Sequence, residues 1–353
     1  MLFRSHLNVP ALEPKNGLPS SLSKTIITDL LKKKMGYEGL IFTDALGMKG
    51  VSEYLPIGEV EVEAFLAGND ILLMPSNLPK GFEAMKKAYQ SKRISEERLA
   101  HSVKKILMAK YKVGLTTFTP IDEATVSKEL HTTEDDLLTE AIFENALTVA
   151  QNKSHIIPLK QLDKQKIAYV KFGNDSGWTF YSTLKKYADV ALIEPKNEAQ
   201  LYEAIEPYTI IIIGLHKPDK TPWDAYNFSE NELKWLEHIA KKKKTILTVF
   251  TSPYAMLNVK HIHPLEGIVF AYQNHKVAQE KAAQLLFGAI EGKGVLPVSA
   301  HHDLPAGTSV ETPKIGRLAY GLPESVGLSS DKLKTIDSIA QEAIDQKMTP
   351  GIQ

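Results

Sequence analysis

The chain has 353 residues, enough for two or three domains, and its hydrophobic content of 43% and charged content of 24% are typical of a globular protein. Lysine plus arginine and aspartate plus glutamate both number 42, so the formal net charge is zero and no nucleic-acid partner is expected. Cysteine is absent, which excludes disulfides and thiolate chemistry, and no apolar run approaches the roughly 18 residues of a membrane span.

Residues 1–114 repeat a strand-then-helix pattern three times. Strands are predicted at 2–9, 39–44 and 70–74, and helices at 22–35, 59–67, 80–91 and 95–113. The first helix would begin at Ser21 or Ser23 and end at Gly36. A closed (β/α)8 barrel needs eight such units and typically about 250 residues. The pattern therefore predicts an α/β fold in which three βα units form the last part of a TIM-type barrel.

The second predicted strand, at 39–44, is the stretch on which the functional interpretation depends. Four apolar or β-branched residues lead into Asp44, and a turn containing Gly47 follows. Chemistry in (β/α) barrels sits at the C-terminal ends of the strands, so Asp44 is a candidate nucleophile or acid/base. The alternative is that Asp44 caps the helix that follows the turn.

The polar residues 115–132 are predicted to be a linker, and a second α/β series follows at 133–300. It begins with a helix at 133–150 whose last turn could continue as a strand. The further predicted strands are 166–172, 190–194, 209–215, 245–250 and 267–271, and the helices are 176–188, 197–206, 229–242 and 274–290. Four consecutive isoleucines at 210–213 suit a strand buried on both faces. These elements predict a doubly wound, three-layer α/β sandwich domain.

Residues 301–328 are rich in proline and glycine and are predicted to be a second linker. An amphipathic helix then starts near Ser329 and extends towards Pro350. This helix suggests that residues 329–353 are the start of a further domain.

Two serines match the Ser-x-x-Lys pattern of β-lactamase nucleophiles. These are Ser21, with Lys24, and Ser329, with Lys332. Both serines stand at predicted helix starts, where serine is a common cap, so neither is assigned a catalytic role.

Five further residues raise the question of a metal. They form His261-x-His263 and His301-His302-Asp303, in loops separated by about 40 residues. Their spacing shows no convergence, so no metal is predicted.

Four segments together resemble glycoside hydrolase family 3, in its bacterial β-N-acetylhexosaminidase branch. They are residues 5–14 (Ser-His-Leu-Asn-Val-Pro-Ala-Leu-Glu-Pro), 34–48 (Lys-Met-Gly-Tyr-Glu-Gly-Leu-Ile-Phe-Thr-Asp-Ala-Leu-Gly-Met), 67–75 (Ala-Gly-Asn-Asp-Ile-Leu-Leu-Met-Pro), and 287–290 with 294–299. The first three are similar to the sixth, seventh and eighth barrel strands of the family, and the last to the end of its second domain. Residues 321–353 more distantly resemble the entry helix of a serine β-lactamase-like domain.

The resemblance implies a retaining glycosidase that removes terminal N-acetylglucosamine from glycans or peptidoglycan fragments. It makes Asp44 the nucleophile. Met48, on the loop just past Asp44, and His6, near the same barrel face, are candidates for contact with the sugar; the alternatives are plain packing for Met48 and a buried structural role for His6. It implies a carbohydrate substrate and no cofactor. Family members occur both in the cytoplasm and outside the cell, so the resemblance assigns no compartment.

The sequence also departs from the family pattern. The Gly-His-Gly-Asp motif, which carries the acid/base in this branch, does not occur, and Ala45 stands where many relatives have a second aspartate. The chain is therefore expected to be incomplete, with little or no activity alone.

Two other interpretations remain open. The α/β domain could be a non-catalytic module that binds carbohydrate or a partner. More remotely, the chain could be the scaffold of a serine hydrolase.

Overall fold

A computed structural model describes residues 2–4, 6–195, 197–221 and 223–352 of the chain. The structure divides into two units, unit 1 at Met1–Asp122 and unit 2 at Glu123–Gln353. Within the described ranges, no helix is both long enough and apolar enough to cross a bilayer.

Unit 1 contains three parallel strands and the helices between them, as the sequence pattern predicts. The strands are β1 (Leu2–Arg4), β2 (Ile41–Ala45) and β3 (Ile71–Leu73), in the order β1-β2-β3. The helices are a 3-10 turn (Ser20–Leu22), a π-helix (Thr25–Lys34), α1 (Lys49–Ser52), α2 (Glu59–Ala67), α3 (Leu78–Gln90) and α4 (Glu96–Lys112). Parallel strands joined by helices give the βα units of a TIM-type barrel domain.

Two details of unit 1 differ from the predictions. The first strand is shorter than 2–9 and ends at Arg4; Ser5 lies outside the described residues. A turn follows in which the carbonyl of Val9 accepts hydrogen bonds from the backbone N–H groups of Leu12 and Glu13. The helix predicted at 22–35 is a π-helix, whose last turn is closed by a bond from Met35 N to Leu30 O at 2.9 Å. Adjacent apolar pairs along this segment suit an α-helix and a π-helix equally, so the pattern could not separate them.

Unit 2 contains a six-stranded sheet with helices on both faces. Its strands are β4 (Thr148–Asn152), β5 (Ile167–Phe172), β6 (Val190–Ile193), β7 (Ile210–His216), β8 (Lys244–Phe250) and β9 (Gly267–Phe270). Its α-helices are α5 (Glu123–Leu130), α6 (Thr133–Ala146), α7 (Trp178–Leu184), α8 (Glu198–Ile205), α9 (Glu230–Lys242), α10 (Lys276–Leu286) and α11 (Ser330–Asp345). Short 3-10 helices lie at Lys153–His155, Leu162–Lys164, Pro253–Asn258 and Pro323–Val326. The strand order is β4-β9-β8-β7-β5-β6.

The isoleucine strand β7 lies in the interior of this sheet and is buried along its whole length. Ile211 and Ile213 pack with residues of α8 and α9 in one apolar cluster. Ile210 and Ile212 pack with residues of α7 and α10 in the other. The two clusters cover opposite faces of the sheet, which confirms the predicted three-layer, doubly wound arrangement.

The edges of unit 2 differ in detail from the sequence interpretation. The helix predicted at 133–150 ends at Ala146, and the chain continues as β4, which pairs antiparallel with β9. The segment predicted as a linker at 115–132 includes α5. Residues 301–328, predicted to be a linker, are partly hydrogen-bonded to the rest of unit 2. Val310 N donates to Val149 O at 2.7 Å, and Ile315 N donates to Gly288 O at 2.9 Å.

A polar network lies at the C-terminal end of β7. The ring of His216 is fully buried, its Nδ1–H donates to Asn274 Oδ1 at 2.7 Å, and its Nε2 accepts from the Tyr169 hydroxyl at 2.8 Å. Burial raises the pKa of Tyr169, which keeps that hydroxyl a donor. Burial also lowers the pKa of His216 to about 4, so the folded protein holds this ring neutral.

This network predicts a specific loss of stability in mild acid. The unfolded chain would protonate His216 near its ordinary pKa of about 6.5, whereas the folded chain resists protonation until about pH 4. The stabilisation is therefore present above pH 6.5 and is lost as the pH falls, by about 2 kcal/mol between pH 7.5 and pH 5.

Urea unfolding followed by tryptophan fluorescence would measure this loss, because all three tryptophans, Trp178, Trp223 and Trp235, lie in unit 2. The variant His216→Gln has no titrating ring and should lose this part of the pH dependence, even if it is less stable at every pH. Equal pH dependence in the two proteins would contradict the assignment.

Candidate active site

The C-terminal ends of the first two strands of unit 1 carry the residues that the sequence singled out. His6 follows β1, Asp44 is the fourth residue of β2, and Met48 follows the turn after β2. The register between β2 and β3 shifts between the pairs Phe42–Ile71 and Ala45–Leu73. An irregularity of this kind changes the direction of the side chains that follow it.

Thr43 compensates for the shifted register. Its hydroxyl accepts the hydrogen bond of Leu73 N at 2.9 Å, which satisfies a donor that the regular ladder would otherwise have paired. Thr43 is fully buried, whereas the next residue, Asp44, is partly exposed. The strand therefore directs its carboxylate away from the buried side of the sheet.

Asp44 does not cap the helix that follows it. Its Oδ1 accepts a hydrogen bond from Ala45 N at 2.8 Å, while the first residue before α1 is Met48, which makes no side-chain cap. Among the described residues, no ion pair and no other hydrogen bond involves the Asp44 carboxylate. One oxygen is thus oriented by the backbone, and the other is free to meet a substrate. This geometry excludes the helix-cap alternative and leaves a chemically available carboxylate.

His6 holds the end of β2 in place. It is 9% exposed, and its Nε2–H donates to the carbonyl of Ala45 at 2.9 Å, directly beside Asp44. Its Nδ1 pairs with the hydroxyl of Ser21 at 2.7 Å. Both ring nitrogens are engaged within the protein, so the contacts are those of a residue that positions the strand end.

Met48 is 49% exposed and lies on the turn after β2. Its backbone N–H also donates to the carbonyl of Ala45, at 3.0 Å. Its thioether chain is thus accessible near the strand end that carries Asp44.

Sequence reasoning missed a buried acidic residue close to this end of the sheet. Glu13 is 5% exposed; the Ser23 hydroxyl and the Lys15 backbone N–H donate to it, and these bonds lower its pKa. Its position in a proline-containing loop gave no burial signal, and its partners fix it as a structural anion.

The two Ser-x-x-Lys motifs have structural roles. Ser329 accepts a hydrogen bond from Lys332 N and caps α11, as predicted. Ser21 is fully buried and bonds to His6, so it does not cap the helix; Ser23 Oγ accepts from Ile26 N at 3.1 Å. Among the described residues, a group with metal-ligand geometry occurs at His301, His302 and Asp303 of unit 2.

A second aspartate, Asp70, lies at the opposite, N-terminal ends of the strands and differs from Asp44 in its burial and in its partners. Its side chain is fully buried and pairs with Lys105 at 2.7 Å, with Lys32 and Arg98 each at 3.9 Å. It also accepts hydrogen bonds from Ser102 Oγ and Ile41 N. A carboxylate so fully committed to partners is a structural element, whereas Asp44 is available for chemistry.

Comparison with known proteins shows similarity to glycoside hydrolases. The family model described as "Glycosyl hydrolase family 3 N terminal domain" matches residues 1–109. A beta-hexosaminidase A from Pseudoalteromonas piscicida is 23% identical and aligns with 86% of this chain and 58% of its own length. A beta-N-acetylglucosaminidase/beta-glucosidase from Cellulomonas fimi is 24% identical over 42% of this chain and 27% of its own length.

A solved structure gives the same result for the fold. The glycoside hydrolase family 3 beta-N-acetylglucosaminidase from Paenibacillus sp. str. FPU-7 superposes with a TM-score of 0.63 and 23% identity, covering 87% of this chain and 59% of that structure. The chain thus spans less than three fifths of the length of each of these relatives. Residues 1–109 therefore match the N-terminal domain of glycosyl hydrolase family 3, and most of the chain is similar to a beta-hexosaminidase.

Proposed function

We propose that the chain carries the catalytic nucleophile, Asp44, of a retaining glycoside hydrolase of the β-N-acetylhexosaminidase type that removes terminal N-acetylglucosamine, and that its own activity is weak. The observation that supports it most directly is the state of Asp44. It is the uncommitted carboxylate at the end of the middle strand, within the segment that the family model matches.

The proposed reaction begins at the free oxygen of Asp44. This oxygen attacks the anomeric carbon as the bond to the leaving oxygen breaks, which gives a glycosyl ester and the leaving group as an anion that takes its proton from solvent. Water then attacks the same carbon and releases a proton to solvent, so that the sugar leaves with its original configuration and the carboxylate is regenerated. His6 is the proposed positioning residue, because it fixes the carbonyl adjacent to Asp44. Met48 is proposed to contact the sugar.

Nucleophilic attack and proton donation to the leaving group can be tested separately. The Gly-His-Gly-Asp sequence that the family resemblance associates with proton donation does not occur among the 353 residues. A dinitrophenyl glycoside releases a leaving group that needs no proton, so formation of the glycosyl ester from it depends on the nucleophile and on sugar binding but not on a proton donor.

The sugar preference follows from a direct comparison on the full chain. We expect dinitrophenyl N-acetyl-β-glucosaminide to be hydrolysed with a kcat/KM at least about tenfold above that of the matching β-glucoside, because a site that contacts the acetamido group loses those contacts with glucose. The reverse preference would contradict the hexosaminidase assignment and favour the β-glucosidase activity that the name of the Cellulomonas fimi relative also includes.

A binding measurement addresses the alternative that the chain is a non-catalytic module. If neither glycoside is turned over while calorimetry shows that the chain binds N-acetylglucosamine, the proposed hydrolase would be wrong and a carbohydrate-binding module would be favoured.

A further inference from the structure

Two loops of unit 2 bring three imidazoles around one carboxylate. Oδ2 of Asp303 lies 3.0 Å from His302 Nε2, 3.5 Å from His263 Nε2 and 3.6 Å from His301 Nδ1. The sequence interpretation, that the two histidine motifs do not converge, is wrong for His263. A gap of about 40 residues cannot reveal that two loops meet in space, and this is why the spacing argument failed.

The turn that carries three of these residues is fixed by the backbone. His301 N and Leu304 N each bond to the other residue's carbonyl, which closes a tight turn at residues 301–304. The other loop, at 259–263, follows the 3-10 helix Pro253–Asn258, and its Ile262 is buried in the core. His261, which precedes Ile262 in the chain, lines a groove with Glu237 of α9 and is not part of the cluster around Asp303.

The ring of His301 is held in the form that a metal requires. Its side chain is 4% exposed, and its Nε2–H donates to the carbonyl of Val259 at 3.0 Å. This bond leaves the lone pair on Nδ1, which faces Asp303 and currently accepts that residue's N–H at 3.2 Å. Metal-bound histidines commonly donate their second ring nitrogen to a carbonyl in this way, because the bond fixes the tautomer and the ring orientation.

The distances agree with tetrahedral coordination. With metal–ligand bonds of about 2.1 Å, the ligand atoms of a tetrahedral site are separated by about 3.4 Å. The three separations from Asp303 Oδ2, from 3.0 to 3.6 Å, lie on either side of that value. The ligand atoms of His301, His302 and Asp303 also lie within 4.8 Å of one another. His263 lies outside this mutually close group, so its exposed ring must rotate towards the other ligands for all four residues to bind one ion.

We propose that His263, His301, His302 and Asp303 form a binding site for a divalent first-row transition metal, with Zn²⁺ as the expected ion. Three imidazole nitrogens and one carboxylate oxygen suit zinc, whereas calcium and magnesium prefer sites built wholly from oxygen. The ion would join the loop at 259–263 to the turn at 301–304. It would therefore stabilise the folded form of unit 2, because it binds that form and not the unfolded chain.

Zinc titration of the full chain tests the proposal. After treatment with chelator and desalting, calorimetry should detect one zinc per chain with a Kd of about 10 μM or tighter, and no comparable binding of Mg²⁺ or Ca²⁺. The variants His263→Ala, His302→Ala and Asp303→Asn should each weaken zinc binding by about tenfold or more. Zinc should raise the melting temperature of the wild type but not of these variants.

The control is His131→Ala, which removes an exposed histidine of unit 2 outside the group. It should bind zinc as the wild type does. His263 and His302 have side chains that are 75% and 71% exposed, so their replacement should leave the circular dichroism spectrum unchanged. The proposal is overturned if no one-to-one binding is found below about 100 μM, or if the three variants bind zinc as tightly as the control.

Discussion

Replacing Asp44 by asparagine should abolish hydrolysis of the dinitrophenyl glycoside, lowering kcat by about 10³-fold or more. The amide has nearly the shape of the carboxylate and can still accept the Ala45 N–H bond through its oxygen. It lacks the charge and the nucleophilic oxygen, so the glycosyl ester cannot form. The measurement is the rate of dinitrophenolate release at saturating substrate.

A control carboxylate lies in the same unit. Asp29 is exposed and pairs with Lys33 one turn away on the π-helix, so Asp29→Asn should leave kcat unchanged. Equal losses in the two variants would mean that Asp44 acts only through stability.

The intermediate itself can be trapped. A fluorinated N-acetylglucosaminyl fluoride slows both steps but keeps an excellent leaving group, so the ester should accumulate and appear as added mass on the peptide that contains residues 39–48. The same reagent should leave Asp44→Asn unlabelled. Labelling of any other carboxylate would show that Asp44 is not the nucleophile.

The features that could be predicted from sequence are those with a local cause. The β-branched run at Ile210–Ile213 specifies a doubly buried strand, and the apolar run before Asp44 specifies a strand that carries a carboxylate near its end. The order of strand and carboxylate along the chain is enough to place Asp44 at the C-terminal end and Asp70 at the N-terminal end. Both positions are found in the structure.

The features that escaped prediction depend on contacts between distant residues. His6 bonds to Ala45, 39 positions away, and His263 meets Asp303 across 40 positions. The antiparallel pairing of β4 with β9 likewise depends on which edge of the sheet remains open, and not on the composition of β4. Side-chain periodicity reports which face of an element is buried, but it does not report which partner covers that face.

The second large effect concerns Asp70, where replacement by asparagine should destabilise unit 1 by about 3–5 kcal/mol. The carboxylate has no exposed surface and is the anion for Lys105, Arg98 and Lys32, whose side chains are 15%, 21% and 19% exposed. An amide of the same shape would leave three partly buried cations facing one another. Asp29→Asn, which breaks an exposed pair on the surface, should change the stability very little.

Hydrogen exchange would localise the effect of Asp70→Asn. Amides of β2 and β3 should exchange faster in this variant than in Asp29→Asn, because Asp70 binds Ile41 N at the start of β2 and immediately precedes β3. The strand β7 of unit 2 serves as an internal reference. Unchanged exchange in β2 and β3 would show that the carboxylate contributes little to stability.

The pH dependence of stability distinguishes the effect of the Asp70 charge from the effect of its shape. Burial alone would raise the pKa of Asp70, but the bonds from Lys105 and Ser102 and the charge of Lys32 outweigh burial and leave the pKa below its ordinary value. Its stabilisation is therefore complete above the ordinary carboxyl pKa of about 4 and is lost as the pH falls through the lower folded value.

At high pH, the stabilities of the wild type and of Asp70→Asn also differ through the titration of Lys32. Burial lowers its pKa to about 8, although the neighbouring Asp70 charge raises it. Removing that charge in Asp70→Asn should lower the pKa of Lys32 further, so the variant sheds this buried charge at a lower pH than the wild type does. The unfolded chain keeps the proton to about pH 10.4, so rising pH stabilises the variant more than the wild type. The stability difference between the two proteins should therefore be largest near neutral pH and smaller at pH 9, whereas a purely steric effect of the substitution would be the same at both.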